Sequence, residues 1–216
     1  MYRRLFPVVL LVLAVGLFSD AHAVLVGDWE NNMDGWILQT EAPGSSASFS
    51  TTGATLHDSS LRVSIPVGGW KKALQIKFQD LGLVDEFLAN KIFSVDVTRL
   101  ASEWTGAPAD GHSGLHLYVN AGGDGWNIWQ EAEGYKGWWK YELGDNTQTV
   151  NWDYSAALPN IKPDNLWWCE LFIATNYDTA YTSGGIYYFD NAQLIPEPAT
   201  ILMLGLGGLA LLRRRK

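Results

Sequence analysis

Five short runs of this chain alternate apolar and polar residues with a spacing of two: Leu61-Arg62-Val63-Ser64-Ile65, Leu74-Gln75-Ile76-Lys77-Phe78, Phe93-Ser94-Val95-Asp96-Val97, Leu115-His116-Leu117-Tyr118-Val119 and Cys169-Glu170-Leu171-Phe172-Ile173. A period of two puts successive side chains on opposite sheet faces, so each run predicts a strand with one face in a core. Trp138–Leu143 and Gly185–Leu194 read as two more strands, rich in aromatic residues. Turn formers separate the runs, at Gly68-Gly69, Pro108 to Gly111, Gly122–Gly125, Gly144-Asp145-Asn146 and Ser183-Gly184-Gly185. Only Leu83–Asn90 reads as a helical turn. The 22 Gly and a charged fraction of 18% also argue against a helical bundle. The pattern predicts an all-β fold, a two-sheet antiparallel β-sandwich of the jelly-roll kind.

Both ends of the chain depart from this pattern. Met1–Arg4 holds two Arg, Leu5–Phe18 is an apolar run of 14 residues, and Ala21-His22-Ala23 is a small-residue triplet. A charged start, a short apolar stretch and A-x-A predict a secretory signal peptide over residues 1–23, cut after Ala23 and read by the Sec export machinery. The run falls short of the ~20 residues a stable membrane span needs. At the other end, Pro196-Glu197-Pro198 precedes the apolar run Ala199–Leu212 and the basic tail Arg213-Arg214-Arg215-Lys216. Prolines stop a helix from continuing backwards, and Gly205, Gly207 and Gly208 suit a membrane segment. Four terminal cations hold such a segment's end on the cytoplasmic side. Residues 196–216 thus resemble the PEP-CTERM sorting signal of Gram-negative bacteria. That resemblance implies processing by an exosortase, transient contact with the inner membrane, and delivery to the cell surface or beyond it. A plain tail anchor is the other reading.

Residues 24–195 remain, enough for one domain. They hold 21 Asp and Glu against 9 Lys and Arg, a net charge near −12. Such a surface excludes nucleic acid as a partner, because phosphate binding needs clustered cations. All 11 Trp fall in this stretch, as does the one Cys, Cys169. An exported fold is therefore expected without an internal disulfide, with Cys169 as a small core residue.

Three further segments carry a second resemblance. They are Gly27-Asp28-Trp29-Glu30 with Asp34-Gly35-Trp36, Thr51-Thr52-Gly53-Ala54-Thr55 running into Ser60-Leu61-Arg62-Val63, and Tyr188-Phe189-Asp190-Asn191-Ala192-Gln193-Leu194. Together they look like carbohydrate-binding-module jelly rolls. The resemblance implies a structural calcium ion between an acidic residue of the first strand and the Asp of the last. Those positions are Glu30 and Asp190 here, with Asp28 as a helper. Calcium takes several carboxylate and carbonyl oxygens, so the chemistry is suitable. Ordinary solvated or backbone-capping carboxylates are the alternative.

Trp126, Trp129, Trp138, Trp139, Trp167 and Trp168 cluster in the second half, interleaved with polar residues such as Glu170. Sugars present apolar C–H faces with polar rims, so Trp planes beside amides and carboxylates suit them. Adjacent strand residues face opposite sides, so one member of each doublet must leave the core. With Trp139, Tyr141 and Leu143 inward, Trp138 points out; with Cys169, Leu171 and Ile173 inward, Trp167 joins the core while Trp168, Glu170 and Phe172 face away. Trp126, Trp129, Trp138, Trp168 and Glu170 are therefore the candidate glycan-binding residues. Core filling is the alternative for any single Trp. Carboxylates such as Glu131, Glu133, Glu142 and Glu170 open an enzyme reading, a glycosidase or lyase. No catalytic residue is assigned, since Glu131–Tyr135 reads as a loop and His112 and His116 as loop into strand. The sequence thus supports an exported, non-catalytic glycan-binding surface protein, with a polysaccharide-active enzyme or a purely structural surface protein as alternatives.

Overall fold

The computed structural model describes residues 22–106, 111–139, 146–182 and 184–196. Twelve strands run in chain order: β1 (Val24–Gly27), β2 (Trp36–Leu38), β3 (Ser46–Ser50), β4 (Ser60–Ile65), β5 (Gly69–Lys77), β6 (Ile92–Arg99), β7 (His112–Gly123), β8 (Trp126–Glu131), β9 (Lys136–Trp139), β10 (Asn146–Asp153), β11 (Trp168–Tyr177) and β12 (Gly185–Ile195). Two short helices, α1 (Phe78–Leu81) and α2 (Val84–Ala89), join β5 to β6. The first sheet has the order β10-β6-β12-β4-β3, with β1 pairing β12 beyond the end of β4. The second has the order β2-β5-β11-β7-β8, with β9 on the same edge of β7 as β8. Every pairing is antiparallel, as the sandwich expectation requires.

Alternation places the core. Leu61, Val63 and Ile65 of β4, Phe93, Val95 and Val97 of β6, and Tyr187 and Phe189 of β12 are buried from one sheet. Leu74 and Ile76 of β5, Leu115, Leu117 and Val119 of β7, and Leu171 and Ile173 of β11 are buried from the other. Each such side chain contributes about 1.5–3 kcal/mol by leaving water. Five tryptophans also fill this interior: Trp29, Trp36, Trp104, Trp138 and Trp152. Trp36 links Trp29 (5.9 Å between ring centroids) to Phe93 (5.8 Å), which stacks on Trp152 at 6.0 Å. Helix α2 occupies the expected turn and sends Phe87 between Phe78 and Tyr154, at 4.8 and 4.7 Å. Cys169 is buried, and burial with Glu170 beside it pushes its thiol up to about 12, so it packs as an uncharged group.

The chain departs from the pattern in several places. β1, β2, β3, β8 and β10 are strands beyond the sequence expectation; the edge strand β3 (Ser46-Ala47-Ser48-Phe49-Ser50) alternates with only Ala47 and Phe49 apolar, because an edge needs little apolar surface. Phe78 leaves the strand expected there and opens α1. His112 and His116 both lie within β7, and Glu131 ends β8 rather than sitting in a loop. Of the strand expected at Trp138–Leu143, residues 140–143 lie outside the described residues.

Candidate functional site

The two sheets present very different outer faces. On the first, the outward residues are hydroxyls, carboxylates and one guanidinium: Ser48 of β3, Arg62 of β4, Tyr188 and Asp190 of β12, Asp96 and Thr98 of β6, Thr149 of β10. The β3–β4 loop lies down over this face. Asp190, fully buried, accepts from Thr55 N (2.5 Å), Thr55 Oγ1 (3.1 Å) and Leu56 N (2.8 Å) through Oδ2. Thr55 Oγ1 and Thr149 Oγ1 reach Asp96 at 2.7 and 2.6 Å. Gly53, at φ 76°, lies so close that a Cβ there would stand 2.8 Å from Tyr188 Cβ and 2.9 Å from Thr98 Cβ. Glu30 holds the loop's far end, with Oε1 accepting from Asp58 N (3.0 Å) and Ser59 N (2.9 Å).

These contacts bear on the expected calcium set. Glu30 lies past the end of β1, and its Oε1 and Asp190 Oδ2 face backbone N–H donors of the loop. Asp28 Oδ1 accepts from Glu30 N at 3.3 Å. Calcium needs oxygens around it, not N–H groups, so the arrangement does not fit that set. Among the described residues, no three His, Cys, Asp or Glu side chains converge to hold a metal ion.

The second sheet's outer face is aromatic and open. Across it, β11 pairs Phe172 with Tyr118, Glu170 with Asn120, Ala174 with His116 and Trp168 with Gly122 of β7. On β8, Glu131 faces Tyr118 and Trp129 faces Asn120. Trp129 stacks on Tyr118 (5.3 Å) and meets Phe172 at 5.2 Å, while Trp70 stands edge-on to Tyr118 at 5.7 Å. Trp129 is 43% exposed and Trp70 37%, whereas Phe172 forms the floor at 4%. From Gly114 to Gly122 this row extends about 26 Å along β7, at ~3.3 Å per residue.

Polar groups border the aromatic row. His116 Nδ1 lies 2.5 Å from Glu131 Oε1, and Tyr118 Oη donates to Glu131 Oε2 at 3.1 Å. Tyr135 fits between His116 and His112, at 4.5 and 5.9 Å between centroids, hydrogen-bonding His112 Nε2 and lying where Gly114 leaves room. Burial, then the neighbouring His116, depresses the pKa of His112, while Asp178 opposes them. Burial and Glu131 push the Tyr135 hydroxyl up. At the other end Trp168 covers Gly122; its Nε1 donates to Asn120 Oδ1 (3.3 Å), and Asn120 Nδ2 donates to Glu170 Oε2 (2.9 Å). Lys72 projects over the middle, its Nζ 5.0 Å from the Trp129 ring and 3.1 Å from Glu41 Oε1.

The candidate glycan residues divide between core and surface. Trp129, Trp168 and Glu170 stand on this face. Trp138 does not: β9 pairs it with Ser113, on the core side of β7, and it is buried with the Arg99 guanidinium 3.8 Å from its ring. Its Nε1 donates to Gln148 Oε1 at 3.1 Å. Trp126 shares its side of β8 with Ile128, packs half-buried against the core and donates from Nε1 to Asn165 O at 3.0 Å. Trp167, expected in the core, precedes β11 and is 63% exposed at the sandwich's end. Trp70, Lys72, Tyr118 and His116 were not among the sequence candidates. For Tyr118 and His116 a signal existed, since Leu115, Leu117 and Val119 point inward and their neighbours must point out.

A two-sheet sandwich with one aromatic, solvent-open face defines a carbohydrate-binding-module-like fold. The chain's solved-structure neighbours agree on that architecture. A xylan-binding domain of carbohydrate-binding module family 22 superposes with TM-score 0.51 at 15% identity, covering 83% of this chain and 98% of that one. A family 27 module of Caldicellulosiruptor saccharolyticus, in complex with mannohexaose, gives 0.50 at 15%, covering 83% and 100%. Xylanase 10B modules of Clostridium thermocellum, complexed with xylohexaose, give 0.52 at 12%, covering 82% of this chain and 29% of that one. At these identities the likeness shows the fold alone. The PEP-CTERM protein-sorting motif matches residues 194–216, so the C-terminal signal is present. No curated protein matches the sequence. Pro196 directly follows β12; Ala21, Glu197, Pro198 and the apolar run lie outside the described residues, and Ala23 is exposed just before β1.

Proposed function

We propose that this protein is exported, processed by an exosortase at its PEP-CTERM signal, and binds glycan without catalysis through the outer face of its second sheet. Sec export, cleavage after Ala23 and a transient stay in the inner membrane belong to the same reading. The observation that carries it is the Trp70–Tyr118–Trp129–Phe172 cluster, large and solvent-open on a face whose backbone is fixed by β11 and β7. Exposed aromatic side chains gathered in one patch mark an interaction site. Ring faces receive sugar C–H groups, and Asn120, Glu131, Glu170 and His116 supply directed polar partners around them. Glu131 and Glu170, the carboxylates an enzyme would use, are both engaged in side-chain hydrogen bonds, which suits a static binding surface. The relatives' xylan and mannohexaose ligands make linear polysaccharides the first probes. Affinity electrophoresis through gels containing xylan, mannan or chitosan tests the reading: retardation by at least one is expected. Uniform migration, or release of oligosaccharides from any of them, would refute binding or non-catalysis respectively.

A further inference from the structure

The centre of the aromatic face already holds an ammonium group. Lys72 Nζ lies 5.0 Å from the Trp129 ring centroid, 5.1 Å from that of Phe172 and 3.1 Å from Glu41 Oε1. Two aromatic rings and a carboxylate are the components of a cation seat. The other ammonium of the face is balanced locally, with Lys77 Nζ 4.0 Å from Glu170 Oε1, and the His116 ring meets Glu131. The domain around them carries 21 acidic against 9 basic residues. A neutral glycan gains nothing from that charge, whereas a polycation is steered toward it.

We propose that the glycan bound here carries free amino groups, a glucosamine-type polymer whose ammonium takes the seat that Lys72 occupies. The proposal rests on the glycan-binding reading above and narrows its ligand class. Exchange costs little because one ammonium replaces another over Trp129: Lys72 swings into water, Glu41 keeps a cationic partner, and no unpaired charge is created. Successive amino sugars then meet Glu131 and Glu170 along the row.

The test is titration of the purified protein with the hexamers of glucosamine, N-acetylglucosamine and xylose, at mildly acidic pH in low and high salt. The glucosamine hexamer is expected to bind about tenfold tighter than the other two, a gap that pairing of its further ammonium groups with Glu131 and Glu170 supplies and that narrows in high salt. Lys72→Met removes the competing ammonium and strengthens glucosamine binding several-fold, while Glu41→Gln weakens it. Both variants keep the wild-type melting temperature to within a few degrees, since each changes one surface ion pair. Equal or tighter binding of the acetylated or xylose hexamer overturns the amino-sugar proposal while leaving the glycan face standing. Weaker glucosamine binding by Lys72→Met overturns it as well. Binding of none of the three removes the proposal and the glycan reading together.

Discussion

The outer faces of the two sheets show how one sandwich treats its two surfaces. The first is built from hydroxyls and carboxylates and is covered by its own β3–β4 loop, which Asp190, Asp96 and Glu30 hold down. Its polar groups are spent on the protein itself, and its contribution is stability. The second carries Trp70, Trp129 and Tyr135 into solvent. Its rings contact one another and a few polar side chains, so removing a half-exposed one is expected to weaken the fold less than removing a buried one. Carboxylates therefore serve structure on one face, and recognition is proposed for the aromatic rings of the other.

Substitutions that separate the faces test this division, and the largest effect lies between them. Trp138→Ala empties a buried indole site beside Arg99 and is expected to cost about 3–5 kcal/mol, read as a lowered denaturation midpoint. A loss near zero would return Trp138 to the surface. Asp190→Ala frees the β3–β4 loop from its anchor and should cost about 3 kcal/mol, leaving binding by the folded fraction unchanged. Raised proteolysis near residues 51–59 is the local signature. Chelation is expected to leave the melting temperature of the wild type where it is, because the Asp190 and Glu30 oxygens face N–H donors; a drop with EDTA would restore the calcium expectation.

On the aromatic face the expected changes are in binding. Trp129→Ala should weaken glycan affinity about tenfold, the scale of one lost stacking partner, with stability lowered by about 1–3 kcal/mol from its two ring contacts, less than for a buried Trp. The smallest effect is the pH response of the Tyr135 end. His112 has its pKa lowered below 6.5 in the fold, so the unfolded chain takes up the proton more readily. The stability tied to neutral His112 is therefore complete above the ordinary histidine value and is lost as pH falls through it toward the lowered one. Replacing His112 with Gln should flatten that acid limb of the melting profile; an unchanged limb would assign it to another group.

The central strands were legible because β4, β6, β7 and β11 each bury one face of an alternating run. What escaped the sequence has physical causes. Alternation says that Trp138 and Trp139 face opposite ways, but the register of β9 on β7 decides which is inside. Strict alternation from Leu74 and Ile76 would send Lys72 and Trp70 into the core. A bulge, with the β11 register shifting between Ile173 and Ala174, buries Ala73 and turns both outward onto the recognition face. Trp70 was further masked by Gly68-Gly69, read as a turn where β5 in fact begins at Gly69. For Glu30 and Asp190 the backbone-capping alternative was legible, but their partners, and the Thr55 and Thr149 hydroxyls on Asp96, lie far off in sequence and were not.

The most direct test of the central claim compares the wild type with the Trp70→Ala/Trp129→Ala double variant by affinity electrophoresis through a polysaccharide that retards the wild type. Both rings lie on the open face and neither is buried, so the variant should fold, melt somewhat below the wild type and migrate as if the polysaccharide were absent. Retardation as strong as that of the wild type would place the binding surface elsewhere and contradict the account.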